Sequence, residues 1–191
     1  ADKLGLTHRK VLQSSGKLFS LTFYTPESEA EKVRSAVLNC GAGHIGNYSH
    51  CSFNSRGNGT FQAHNGAHPF VGEIGKIHTE PEIKTEITVP EYLLNHCIQT
   101  LKTTHPYEEP VWNIICLDNI NPTTGFGIIG ELPVPVESQR FLHNIKQIFH
   151  CNILRHTRVC KSEIKRVAVC GGSGAFLTQA AIAQKADIYI T

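Results

Sequence analysis

Leu18-Phe19-Ser20-Leu21-Thr22-Phe23-Tyr24-Thr25, ended by Pro26, is rich in aromatic and strand-forming side chains and reads as a β-strand. Ser28 then offers an N-cap for a helix over 29–39, with Val33, Ala36, Val37 and Cys40 at i, i+3, i+4 and i+7. Gly41 stands at the C′ position, where a left-handed residue stops a helix. The glycine-rich stretch 48–75 is expected to hold a hairpin. Ile83, Thr85, Ile87 and Val89 alternate with Lys84, Glu86 and Thr88, which predicts a half-exposed strand. Pro90 opens a second helix through Leu93, Leu94, Cys97 and Leu101. Pro106 and Pro110 bracket a tight turn, and 111–117 is a further strand. The order β-α-β-β-α-β over 18–117 predicts a ferredoxin-like α/β sandwich, in the variant with an extra hairpin used by the PII and CutA proteins, which associate by sheet edges into trimers.

A second pattern begins after Asn121-Pro122-Thr123-Thr124-Gly125. A strand is expected at 127–132. Ser138 caps a helix whose apolar face is Phe141, Leu142, Ile145, Ile148 and Phe149. Further strands are expected at 153–157, 164–170 and 187–190, with a helix over 175–184. The last part is a βαβ unit. The fold class is therefore α/β or α+β, with divisions at 1–17, 18–120 and 121–191.

Charge follows the same divisions roughly. Residues 1–17 carry +3, 18–137 carry −7 and 138–191 carry +6, within a total of +2 over 191 residues. An acidic block between basic flanks is what an inserted domain presents. A total of +2 is too small to make the whole chain a nucleic-acid binder, and no apolar run approaches the ~20 residues of a membrane helix. The basic segment 138–191, with Arg155 and Arg158, leaves nucleic acid as a third-ranked partner. Seven cysteines without a CxxC pair argue for reduced, mostly buried thiols of a cytoplasmic protein rather than a disulfide scaffold.

Three segments can carry chemistry. Gly171-Gly172-Ser173-Gly174 lies between a strand and a helix, where backbone N–H groups can meet an anion. It is either an anion site or a tight turn. His105-Pro106-Tyr107-Glu108-Glu109-Pro110 packs an imidazole and two carboxylates together, as a metal site, an acid/base pair or a rigid connection. The run from Gly41 to Phe53 contains His44, His50 and Cys51, which either ligate a soft or borderline metal or form a packed helix-to-strand corner. His64 and His68 lie in a Gly/Pro loop, where their spacing has no ligand meaning.

GAGHIGNYSHCSF (41–53), GNGTF (57–61), PFVGEIGKI (69–77), HPYEEPVW (105–112), GFGIIGELP (125–133) and VAVCGGSGAFL (167–177), in this order, closely resemble the Nif-three-like family. These proteins are also called dinuclear metal centre hexameric proteins, or GTP cyclohydrolase I type 2 homologues. The GAGHIGNY and HPYEEP motifs resemble the subgroup with a PII/CutA-like insert; Val111-Trp112 departs from its usual Ala-Tyr. The resemblance implies two α/β lobes around two divalent metal ions (Zn, Mn or Fe) in a toroidal homohexamer. Its metal-ligating His-His-Pro, His-Thr-Asn-Leu-Asp and Gly-His-x-x-Ser-Glu segments are absent from this sequence, so no residue here is expected to be a metal ligand. Ala1–Leu6 and Ile188–Thr191 resemble the neighbours of such segments. Together with the lack of methionine, this implies an internal piece of a longer protein.

The expectation for the intact protein is a metal-dependent hydrolase of a phosphorylated or nucleotide-like substrate, with Gly171–Gly174 near the metal cleft. The alternative is a non-catalytic, metal-binding or regulatory assembly whose insert senses a ligand or partner. Asn47, Cys51, His105, Glu108 and Glu109 mark the insert's motifs without an assigned role.

Overall fold

A computed structural model describes residues 1–191. Its secondary-structure elements are β1 (Thr7–Pro26), α1 (Ala30–Asn39), β2 (Phe53–Gln62), β3 (Ile77–Pro90), α2 (Glu91–Thr104), β4 (Trp112–Glu137), α3 (Ser138–Ile148), β5 (Glu163–Val169), α4 (Thr178–Ala183) and β6 (Ile188–Ile190). Short 3₁₀ turns lie at Asp2–Leu4 and Ala175–Leu177. The fold is a mixed α+β one, divided into two units: Lys17–Ile120, and Ala1–Gly16 with Asn121–Thr191. No helix is long and apolar enough to cross a membrane.

Within Lys17–Ile120 the strand order is β2-β3-β1-β4, which with the element order βαββαβ is the ferredoxin-like arrangement. β3 pairs antiparallel with both neighbours, Phe23 facing Thr85 across β1 and Gly59 facing Glu80 across β2. The period-2 pattern holds: Thr85, Ile87 and Val89 are buried, while the residues between them are half-buried. Leu21 and Phe23 meet Ile87 and Val89, and α1 and α2 cover them with Val33, Val37, Cys97 and Leu101. Each such buried side chain contributes about 1.5–3 kcal/mol by removal from water.

Within the other unit the order is β1-β4-β5-β6, with β5 and β6 parallel and joined by α4. Leu4, Leu6, Phe141, Ile145, Ile164 and Val167 form one core cluster; Leu12, Ile129, Ala168, Leu177 and Ala181 form another.

Several local expectations need correcting. The separate strands expected at 111–117 and 127–132 are one strand, Trp112–Glu137, which runs through Asn121-Pro122-Thr123-Thr124-Gly125. Asn121 Oδ1 instead accepts from Thr123 N and Oγ1 at 3.0 and 2.7 Å, satisfying the polar groups locally. Opposite, Gly16 leaves room that a Cβ would fill, since it would collide with Thr124 Oγ1. The strand containing 18–25 likewise begins at Thr7, where the aromatic signal is missing. Ser28 does not cap α1, whose N-cap is Glu29 without a side-chain bond. Ser138 does not cap α3: the Glu137 carboxylate does, accepting from Gln139 N and Arg140 N at 2.8 and 2.7 Å, while Ser138 Oγ donates to Lys161 O. Residues 153–157 form no strand. The helix expected over 175–184 is a 3₁₀ turn followed by the six-residue α4. Of the cysteines only Cys97 is buried, its thiol pushed up to about 11 by burial.

Candidate functional site

Pro106 decides the geometry of the HPYEEP segment. A residue before proline is driven out of helical backbone angles, and His105, at φ −67° and ψ 138°, leaves the end of α2 extended. Its imidazole turns inward and is buried. Nε2–H donates to Tyr24 O at 2.9 Å, and Nδ1 accepts from Tyr107 N at 3.1 Å. Both ring nitrogens are thereby used. Burial holds the ring pKa below the ordinary 6.5, the bond to Tyr24 opposing it. A neutral imidazole with no open nitrogen neither ligates a metal nor transfers a proton; of the readings left open for His105, the rigid connection is the one the geometry realises.

Its neighbours point elsewhere. Tyr107 OH donates to Glu82 Oε1 at 2.9 Å, and burial together with Glu82 pushes its pKa up. Glu108 Oε2 accepts from His68 N at 2.9 Å, tying the 63–76 loop to the HPYEEP segment. Glu109 is exposed. The Phe61 and Phe70 rings stand 6.1 and 6.4 Å from Tyr107, at 61° and 56°. Gly59 completes the wall: a Cβ there would overlap the Glu82 carboxylate, so glycine lets that carboxylate lie against β2.

These groups enclose a cavity of about 670 Å³ within Lys17–Ile120. Its lining draws on Gly57–Phe61, His68–Phe70 and Tyr107–Glu109, parts of three separate sequence motifs. Size and mixed apolar and polar walls are those of small-molecule sites, whose volumes run about 300–1,000 Å³. Sequence reasoning singled out Glu108 and Glu109 but missed Phe61, Phe70, Tyr107 and Glu82 as site residues. GNGTF and PFVGEIGKI carried a signal for the two phenylalanines; nothing in the 77–90 strand pattern distinguished Glu82.

The 41–53 segment is packed only at Ala42 and Gly43, and residues 44–50 are exposed. Gly43 N donates to Thr88 O at 2.8 Å and Gly43 O accepts from Cys51 N at 2.9 Å, so closely that a Cβ would sit 2.6 Å from Cys51 O. Ile45 and Tyr48 pair across Gly46-Asn47, leaving Asn47 exposed at a turn. His44 bonds Gly41 O and His50 bonds Ser49 Oγ, neither meeting Cys51. His64 is exposed in the 63–76 loop, while His68 lines the cavity.

Gly171–Gly174 follows β5 at its C-terminal end, facing the start of the 3₁₀ turn. Gly174 is pinned: its N–H donates to Thr191 Oγ1 at 2.8 Å and its O accepts from Tyr189 OH at 2.6 Å. Gly171, Gly172 and Ser173 are exposed, Gly172 at φ 77°. No long helix follows to lend its dipole to the loop. Nowhere do three or more His, Cys, Asp or Glu side chains gather in a group that could hold a metal ion.

Known proteins place this geometry. The family described as Duf34/NIF3 (NGG1p interacting factor 3) matches over residues 1–191. The GTP cyclohydrolase 1 type 2 homolog of Halalkalibacterium halodurans is 36% identical over 193 residues, and that of Bacillus subtilis 35%. Each match covers 100% of this chain and 52% of the relative, so the chain spans about half the length of the curated relatives it matches. A solved Bacillus cereus protein related to NIF3 is 34% identical with a TM-score of 0.78, covering 99% of this chain and 50% of that one. A Staphylococcus aureus structure, 22% identical with a TM-score of 0.53, agrees in fold alone. The chain belongs to the Duf34/NIF3 family.

Proposed function

We propose that Lys17–Ile120 is a small-molecule-binding module, a PII/CutA-like insert serving a dinuclear-metal, homo-oligomeric protein. The observation that carries this reading is the cavity in which GNGTF, PFVGEIGKI and HPYEEP residues converge. The module recognises its ligand with the Tyr107, Phe61 and Phe70 rings and with carboxylates held in place by Tyr107 and His68. Such a module reports ligand occupancy to the rest of the protein rather than performing chemistry itself, since its one buried imidazole, His105, is committed to structure. Thermal-shift and calorimetric titration of a metabolite panel tests this. At least one compound is expected to bind the parent chain and to lose about tenfold or more in affinity on Phe61→Ala, the scale of one well-buried aromatic contact. Binding untouched by Phe61→Ala and by Tyr107→Ala would reject the cavity.

A second reading concerns the intact protein: a metal-dependent hydrolase of a phosphorylated or nucleotide-like substrate. It is supported by Gly171, Gly172 and Ser173 lying exposed at the C-terminal end of a parallel strand, where α/β sheets bind ligands. Assay of the full-length protein against phosphoesters and nucleotides with Mn²⁺, Zn²⁺ or Fe²⁺ tests it. Metal-dependent turnover that falls on Ser173→Ala supports the reading; absence of turnover across the panel rejects it.

A further inference from the structure

If the 17–120 cavity is a ligand site, as proposed above, its walls also select the charge of what enters. Five charged side chains with clear sign line it: Arg56, Lys84, Glu82, Glu108 and Glu109. Each of the two cations is already paired with a carboxylate outside the lining. Arg56 Nη2 lies 2.8 Å from Glu27 Oε1, and Lys84 Nζ lies 3.0 Å from Glu86 Oε1. The three carboxylates take part in none of the unit's ion pairs. Glu82 accepts from a neutral phenol and Glu108 from a backbone N–H. The Tyr107 proton stays in place because burial and Glu82 both oppose its loss. The whole unit, Lys17–Ile120, carries a net charge of −4.

Beside these carboxylates without an ion-pair partner stand Tyr107, Phe61 and Phe70, with Phe61 and Phe70 each inclined to Tyr107 rather than stacked on it. An aromatic ring attracts a cation placed over its negative face, and its body takes up apolar groups. An anion would find its counter-charges occupied and three carboxylates opposing it. A neutral apolar ligand would desolvate carboxylates without compensation.

We infer that this cavity binds an organic cation, an ammonium or quaternary ammonium group carried on an apolar or aromatic body. The cationic head sits toward Glu82 and Glu108, and the body lies among Phe61, Phe70 and Tyr107.

Isothermal titration of the full chain with three probes of similar size and different charge tests the inference: benzyltrimethylammonium, 2-phenylethanol and phenyl phosphate. Benzyltrimethylammonium is expected to bind at least about tenfold more tightly than 2-phenylethanol, with affinity falling as salt rises. Glu108→Gln, on an exposed side chain, is expected to remove most of that preference for benzyltrimethylammonium over 2-phenylethanol. Glu82→Gln does the same if its melting temperature stays within the parent range, and Glu108→Gln decides alone if it does not. Equal or tighter binding of phenyl phosphate or 2-phenylethanol, lost on Phe61→Ala, overturns the cation inference and leaves the ligand-binding module standing. Absence of binding by all three probes, with no change at the amides of Gly57–Phe61 or Tyr107–Glu109, overturns both.

Discussion

At Gly171–Gly174 the polar groups close on one another: Thr191 and Tyr189 take the N–H and O of Gly174. At Gly57–Phe61 and Tyr107–Glu109 they open outward, with Glu82 and Glu108 positioned by one hydrogen bond each and left without a counter-cation. From the sequence, Gly171–Gly174 and the HPYEEP segment are both candidates for chemistry, while Gly57–Phe61 enters only as a motif of the family resemblance. The difference lies in who supplies the hydrogen bonds. The glycine loop is braced by the strand immediately beside it, whereas the cavity is braced by a buried histidine that keeps its own chemistry out of play.

The largest effect expected from breaking this contrast is at that histidine. His105→Ala empties a buried side-chain site and leaves the half-buried Tyr24 O and Tyr107 N without these partners, and should cost about 2–4 kcal/mol of stability in urea unfolding. The pH dependence follows from the same ring. Its folded-state pKa lies below 6.5, so the unfolded chain binds the proton more readily. Stability from this group is full above 6.5 and is lost as pH falls below 6.5 toward the depressed folded value, by at most about 1.4 kcal/mol per pH unit. A His105→Gln variant should lack that loss.

Gly174→Ala comes next. The added Cβ would overlap Thr191 Oγ1 and Tyr189 OH, and overpacking of this kind costs about 1–3 kcal/mol, read as a lower urea midpoint at unchanged slope. Tyr107→Phe removes only the bond to Glu82 and should cost about 0.5–1.5 kcal/mol. The smallest effect is at Ser173, exposed on the loop, where Ser173→Ala should stay within about 0.5 kcal/mol of the parent. A large effect there would mean that the loop is structural in a way the hydrogen bonds do not show.

Much of the fold was legible because the deciding signals were local. Thr85, Ile87 and Val89 alternate strictly, Val33 and Val37 recur at helical spacing, and Gly41 adopts φ 93° at the end of α1 as its position required. The errors came where a partner distant in sequence overrode a local cue. Gly16 makes room for Thr124 within β4, across a span where two separate strands were expected. Lys161 captures the Ser138 hydroxyl, so Glu137 caps α3 instead. The candidate site divides in the same way. Pro106 after His105 signalled a rigid turn, but nothing local announced that both imidazole nitrogens would be consumed. Glu82 became a site residue only through Gly59 and Tyr107, which folding brings to it from β2 and the HPYEEP turn.

Amide chemical-shift mapping of the isotope-labelled chain against a metabolite panel tests the central claim most directly. The account predicts at least one compound whose perturbations cluster at Gly57–Phe61, His68, Phe70 and Tyr107–Glu109. A panel that leaves those amides unmoved, or whose perturbations gather at Gly171–Gly174 instead, would contradict it.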